Sequence, residues 1–290
     1  MTWRPRPRYC QSSRRSRVRS RPSSPRRGGG PRRALVRNPE QLRGLAEEYV
    51  RDLALTPELG ALEDPIRYAL EAGKRVRAVL CLATAEAAGT EPETALPAAA
   101  SLELVHAFSL VHDDLPALDD DEERRGRPST WARYGEAVAI LAGDALLAEA
   151  FRLALTYSSP AVARELAQAT LGMIGGQYLD ITDTAPDEAT LHRLKTGCLF
   201  AASVGLGLWV AEVPERDQAP WRAFGDELGL LFQIVDDILD GDGYVLSHGA
   251  DGARALADEA AKRARERLNA IPADTSILAD IVEVLATRTA

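Results

Sequence analysis

The chain has 290 residues, is 46% apolar but only 6% aromatic, and carries a formal charge of −8. Abundant Ala and Leu with few β-branched runs favour helices, and the length suits one large domain without internal repeats. Three unpaired cysteines, Cys10, Cys81 and Cys198, point to neither a disulfide framework nor a zinc site and fit a reducing cytoplasm; the longest nearly uncharged apolar run, residues 199 to 211, is too short for the ~20 residues of a membrane span.

Charge is divided unevenly. Residues 1 to 37 hold 13 arginines and no acid, which leaves 22 basic against 43 acidic side chains, a balance of −21, in the remainder. The Arg-, Pro-, Ser- and Gly-rich segment has too little apolar surface to offset its ordering entropy and is expected to be disordered. A nucleic-acid arm or an organelle transit peptide would use such residues. Its five prolines oppose an amphipathic targeting helix, and the expectation is an inert tail or a wrongly assigned start, with no nucleic-acid partner. The folded domain is expected over residues 38 to 290.

It opens on a helix start, with Asn38 as N-cap, Pro39 at the first helical position and Gln41 completing a capping box. A second start at Asp64-Pro65 carries Ile66, Ala69 and Leu70 at helical spacing until Gly73. Gly73-Lys74-Arg75-Val76-Arg77 begins a third helix ending near Gly89, with Lys74 and Arg77 expected on one face. A solvated basic face is the plain reading of that pair. Only three lysines occur, Lys74, Lys195 and Lys262, so a lysine where arginine is the habit suggests a specific role.

From residue 97 to 115, Leu102, Val105, Phe108 or Ser109, and His112 follow a helical period, with His106 one turn from Ser109 and Leu110. The pattern runs into Asp113-Asp114, Pro116 disrupts the next turn, and Asp119 to Asp121 continue into Glu122-Glu123. Acids at a helix C-terminus oppose the macrodipole by up to ~1 kcal/mol each unless cations are present. A solvated acidic loop is the alternative, opposed by the apolar helix that leads into it. Arg124-Arg125-Gly126-Arg127-Pro128 follows, and guanidinium forks there either neutralise the acids or bind phosphate.

Residues 137 to 154, with Gly143-Asp144, and 171 to 181, with Gly175-Gly176-Gln177 and Asp180, read as small-residue helices suited to close packing. Gln177 and Asp180 share a helical face. Lys195-Thr196 lies in a helical pattern running from Glu188 toward Val213, either snorkelling or binding an anion. From Trp221 the stripe Phe224, Leu228, Leu231, Phe232, Val235 leads to Asp236-Asp237-Ile238-Leu239-Asp240. Phe232, Asp236 and Asp240 are successive i+4 positions and Gln233 lies one turn before Asp237, so three carboxylates and an amide are expected toward one side. Like charges at that spacing repel unless a cation lies between them.

Asp113-Asp114 to Asp119 followed by Arg124-Arg125-Gly126, with Asp236-Asp237-Ile238-Leu239-Asp240 late in the chain, resembles the two aspartate-rich motifs of trans-isoprenyl diphosphate synthases, the polyprenyl synthetase family. The resemblance extends over about residues 40 to 290. It takes in Gly73 to Arg77, His106, Gly143-Asp144, Gly176-Gln177, Lys195-Thr196 and Phe232-Gln233, and the pattern is nearest the bacterial farnesyl diphosphate synthase type. It implies an all-α isoprenoid synthase-type bundle around a deep apolar cavity and a homodimer. By the same resemblance Asp113, Asp119 and Asp236, assisted by Asp114, Asp237 and Asp240, would hold Mg²⁺ on the diphosphate of an allylic substrate. Arg124, Lys195, Thr196 and Gln233 would contact that diphosphate, and Gly73, Lys74, Arg77, His106 and Arg125 would hold isopentenyl diphosphate.

The implied activity is head-to-tail condensation of the two diphosphates. Phe108 lies five residues before Asp113, roughly 7.5 Å along the helix. With Ser109 it marks the chain-length position, and an aromatic there beside Leu115-Pro116 favours a C15 product in the family; a C20, geranylgeranyl product is the alternative. In one respect the chain departs from the pattern. The family carries a lysine-bearing loop after the second aspartate motif, whereas Gly241-Asp242-Gly243 passes quickly to Tyr244 here and no lysine occurs between Lys195 and Lys262. A non-catalytic partner subunit would tolerate that loss but need not retain complete aspartate motifs. A terpene cyclase would not need Lys74, Arg77 and Arg125 for a second diphosphate.

Overall fold

In a computed structural model, residues 37 to 71 and 73 to 288 are described. The expectations for residues 1 to 36 lie outside them. Helix α1, Pro39–Arg51, begins on the expected capping box, with Asn38 accepting from the Gln41 backbone and the Gln41 side chain accepting from that of Asn38. Helix α2, Glu63–Leu70, starts one residue before Asp64 and without a side-chain cap; Asp64 instead accepts a hydrogen bond from the Tyr134 hydroxyl at 2.9 Å. Helix α3 spans Val76–Ala87 and α4 Leu96–Asp113. A two-residue hairpin, β1 (Glu123–Arg124) and β2 (Arg127–Pro128), turns through Arg125 and Gly126, both at positive φ, as a tight antiparallel turn requires. Then come α5, Thr130–Tyr134, α6, Glu136–Ala154, and α7, Ala161–Ile181. Helix α8, Glu188–His192, runs through a π-helical turn, Arg193–Gly197, into α9, Cys198–Val210. Helix α10, Ala219–Asp240, α11, Tyr244–Asn269, and α12, Ser276–Ala286, complete the chain, with α11 broken at Gly249.

These helices enclose one continuous apolar core. Helix α4 is buried on nearly all sides and packs on α6 and α3, while α9 is held between α3, α7 and α10. The stretch Pro92–Asp113 is long and apolar enough by composition to cross a membrane, and 67% of that window is buried inside the bundle. Its hydrophobicity is therefore that of a core helix. On α10, Phe224, Leu228, Leu231 and Val235 of the expected stripe are buried, each side chain adding ~1.5–3 kcal/mol, while Phe232 is only half-buried and borders a cavity. That burial fixes where α10 ends, and so where Asp236 to Asp240 emerge.

One expectation is corrected. Lys74 and Arg77 do not share a helical face, because Arg75 is in the left-handed conformation (φ 52°) and caps α3. Lys74 precedes the helix, in irregular backbone.

Candidate active site

Helix α4 delivers Asp113 to the rim of the bundle as its last residue. The acidic segment beyond it is folded back by backbone bonds: Asp119 N–H donates to the Asp113 carbonyl at 2.9 Å and Asp121 N–H to that of Asp114 at 3.1 Å. Asp113 and Asp119 are thus drawn together. Burial, with Asp119 adding to it against the opposing pull of Lys195, pushes the Asp113 carboxyl up to about 6. Asp114 turns inward instead, is buried, and accepts from Arg124 Nε.

On α10 the second aspartate run divides in two. Asp236 accepts from Arg288 Nη1 at 3.1 Å, and Asp240, the last residue of the helix, is exposed. Burial, with Asp236 and Asp242 nearby, raises the Asp240 carboxyl. Asp237 is buried, accepting from Gln233 Nε2 at 2.6 Å and from the Tyr244 backbone at 3.0 Å. The expectation that three carboxylates and an amide point to one side is corrected accordingly: adjacent residues on a helix are ~100° apart, and Asp237 with Gln233 serves the junction between α10 and α11.

Two cavities meet below these acids. The first, about 630 Å³, is lined by Gly73, Lys74, Arg77, His106, Arg124, Arg125, Thr196 and Asp236, and also by Arg43, Arg75 and Arg288. The second, about 400 Å³, is mostly apolar; Asp113, Lys195, Phe108, Ser109, Met173 and Leu199 contribute to it. Arg77, His106, Leu110 and Thr196 line both. One chamber therefore carries cations, the other is walled mainly by apolar surface, and they share a wall. Gln233 lines neither; it faces a third cavity with His192 and Cys198.

The shared wall is built from the core. Arg77 lies over the Phe200 ring at 4.9 Å and near Phe232 at 5.9 Å, a stacked setting that suits guanidinium. Its Nε is buried with no hydrogen-bond partner among the described residues, a donor available to an anion. Burial and the surrounding arginines hold His106 well below its usual value, so it is neutral at pH 7. Arg75 forms a buried ion pair with Glu103 at 3.5 Å, and Glu103 also accepts from the Ala78 backbone at 3.0 Å. Glu103 is the sole Asp, Glu, Lys or Arg of α4 before Asp113, a signal that could have revealed this pair. Arg288 and Arg43 reach the site only through tertiary folding and had no such signal.

Lys195 is carried on the π-helical turn, which widens the backbone and redirects its side chain. Its ammonium pairs with Asp180. Helix α7 approaches this turn so closely that a Cβ on Gly176 would lie 2.5 Å from the Lys195 backbone nitrogen. Next to it, Gln177 lines the apolar cavity with both side-chain polar atoms buried and unpartnered among the described residues. Phe108 sits in the wall of that cavity with its ring edge-on to His112 at 4.9 Å, and His112 is held by the Ile140 carbonyl at 3.1 Å.

Residues 60–251 match the family model described as polyprenyl synthetase. The chain belongs to that family. It is similar to a geranylgeranyl diphosphate synthase of Cyanophora paradoxa, 45% identical over 61% of this chain and 64% of that protein. It is also similar to the (2E,6E)-farnesyl diphosphate synthase of Mycobacterium tuberculosis, 46% identical over 58% and 48%. The farnesyl diphosphate synthase of Bacillus subtilis is 32% identical over 79% of this chain and 89% of its own. Among solved structures, the geranyltransferase of Legionella pneumophila superposes with a TM-score of 0.77 at 30% identity, covering 86% of this chain and 95% of that one. The all-α isoprenoid synthase fold is thereby established. With its first curated relatives the match spans only 54% to 64% of their length.

Proposed function

We propose that this polyprenyl synthetase family member condenses isopentenyl diphosphate with an allylic diphosphate, head to tail, giving mainly farnesyl diphosphate (C15). The observation that carries this reading is the cationic chamber joined to an apolar one beneath Asp113, with Arg77, His106 and Thr196 in the common wall. Gly73, Lys74, Arg77, His106 and Arg125 hold isopentenyl diphosphate, its double bond directed across that wall. Arg124, Lys195 and Thr196 receive the allylic diphosphate, and Gln233 acts through Asp237.

Asp113, Asp119, Asp236 and Asp240 fit Mg²⁺ by donor type, being hard carboxylate oxygens, and the raised Asp113 carboxyl beside Asp119 marks negative charge in need of a cation. Asp114 and Asp237 assist from behind, through Arg124 and Gln233. When bound, Mg²⁺ supplies Lewis-acid charge to the departing diphosphate. The chain's own cations contribute further, each fixed donor being worth ~3 kcal/mol where charge develops. Apolar lining from Phe108, Met173 and Leu199 keeps water from the allylic cation. Neutral His106 adds no charge that would oppose that cation. The departing diphosphate takes the final proton, so no side-chain base is assigned.

A homodimer accounts for the outer wall of the apolar chamber. Leu171, Ile174, Tyr178 and Ile181 form a stripe along α7 that is 46–65% exposed, and Ile140 and Leu141 on α6 are exposed too. Ile174, Tyr178 and Ile181 also line the chamber, so a second copy covering them would close it. Free thiols at Cys81 and Cys198 support a cytoplasmic setting. A C20 product is the second reading, favoured by the geranylgeranyl synthases among the relatives. Incubation with Mg²⁺, isopentenyl diphosphate and, in turn, dimethylallyl, geranyl and farnesyl diphosphates, with product-length chromatography, tests both. A C15 end point supports the first, C20 the second, and no elongation with any starter refutes the enzyme reading in favour of a non-catalytic subunit.

A further inference from the structure

Away from these chambers, α8 and the junction of α10 with α11 bring together a separate set of ligand-type side chains. Glu188 and His192 are one turn apart on α8 and share a face. Asp237 meets them from the inward face of α10, and the ligand atoms of all three lie within 4.8 Å of one another. The Nδ1 atom of His192 is buried with no hydrogen-bond partner among the described residues. A buried ring nitrogen normally finds a partner.

The surroundings hold these ligands in place as outer-shell groups do around a metal. Gln233 and the Tyr244 backbone each donate to one oxygen of Asp237, which leaves each oxygen a further lone pair. Glu188 Oε2 accepts from Ser247 Oγ at 3.3 Å. The Tyr244 ring packs against His192 with centroids 5.2 Å apart. A Cβ on Gly243 would lie 2.2 Å from Asp237 Oδ2, at φ 44°; the chain crosses over the carboxylate where only glycine fits.

We propose that Glu188, His192 and Asp237 bind one divalent transition-metal ion of the zinc class, distinct from the Mg²⁺ carboxylates Asp113, Asp119, Asp236 and Asp240. Two carboxylate oxygens and one imidazole nitrogen, with water in a fourth position, are a zinc donor set, whereas magnesium prefers oxygen throughout. The ion ties α8, and through it the π-helical turn bearing Lys195, to the point where α10 passes into α11. It thus braces the short Gly241-Asp242-Gly243 connection. The competing arrangement is a metal-free pairing of His192 with Asp237.

Metal titration of the full chain separates the two. Protein stripped with a chelator and held in excess Mg²⁺ is titrated with Co²⁺ and then Zn²⁺. One Co²⁺ per chain is expected, with the visible absorption of a four- or five-coordinate ion, an imidazole N–H shifted by the paramagnet, and displacement by Zn²⁺. Zn²⁺ should also raise Tm. His192→Ala and Glu188→Gln should each weaken Co²⁺ binding at least tenfold and abolish the Zn²⁺-dependent Tm shift while retaining the helical circular dichroism. A pale six-coordinate spectrum competed away by Mg²⁺, or undiminished binding in both variants, overturns the proposal. Should either variant misfold, X-ray absorption of the Zn²⁺-loaded wild type decides: a nitrogen ligand supports the site and an all-oxygen shell overturns it.

Discussion

The guanidinium of Arg77 lies 4.9 Å over the ring of Phe200 while its Nε is buried and unpaired among the described residues. A cation so placed is desolvated by the ring on one side and open to an anion on the other, where both chambers meet. Arg77→Lys keeps the charge but loses the planar fork and the stacking. A fall of roughly 10–100-fold in kcat/KM for isopentenyl diphosphate is expected, corresponding to about 1.4–2.7 kcal/mol, with a smaller change for the allylic substrate. Steady-state kinetics with each substrate varied would check this, and a change within twofold for both would remove Arg77 from the diphosphate site.

Phe108 and His112 meet edge-to-face, and the Ile140 carbonyl holds the histidine, so the Phe108 ring is braced across the apolar chamber. Phe108→Ala removes the barrier and is expected to extend the main product by at least one C5 unit. Because the ring borders a cavity, the stability loss should fall at or below the lower end of the ~3–5 kcal/mol range for buried aromatic truncation. Chromatography of the dephosphorylated products gives the chain length. An unchanged product would mean that the limit is set elsewhere, with Met173 or Tyr178 as the next wall residues.

Much of this site could be read from residue spacing because helical period and capping are local properties. Asn38 and Gln41 form their capping box, α10 buries Phe224, Leu228, Leu231 and Val235 of its expected stripe, Asp113 ends α4, and Asp236 lies in the last turns of α10. What escaped depends on single backbone states or on distant chain. One left-handed residue, Arg75, takes Lys74 off the helix. A one-residue difference in helical position sends Asp237 inward while Asp236 stays at the cavity. The π-helical turn under Lys195 leaves no compositional trace, and Arg288 reaches Asp236 across 52 residues.

The Asp113 carboxyl titrates near 6 in the metal-free protein, against 3.8 for an ordinary aspartate. Between those values the native chain holds a proton that the unfolded chain has released, so stability falls as pH rises through the window. Above it, ionised Asp113 costs on the order of 2 kcal/mol after discounting for its partial exposure. Asp113→Asn should therefore raise Tm in chelator-treated buffer at pH 7, leave it nearly unchanged at pH 4, and reduce condensation by at least about 100-fold, the scale of losing one electrostatic contributor. Thermal melts at the two pH values check the sign. Equal or lower Tm for the variant at pH 7 would mean that ionised Asp113 is already compensated, with Lys195 the nearest candidate.

At Gly176, α7 packs directly on the backbone of the π-helical turn. Its absent Cβ would sit 2.5 Å from the Lys195 nitrogen and 2.8 Å from the Leu194 carbonyl carbon, and both obstacles are backbone, so neither can swing aside. Gly176→Ala must separate the helices or straighten the turn. Either response moves Lys195 and Thr196, which line the chambers, while leaving the rest of the core packed. Overpacking of this kind costs ~1–3 kcal/mol of stability, and a misplacement of about 1 Å near reacting groups can cost ~100-fold in rate. Kinetics should show a larger loss for the allylic diphosphate than for isopentenyl diphosphate, since Lys195 lines only the apolar chamber. An equal loss for both substrates would mean that the strain spreads through the bundle instead of being confined to the turn.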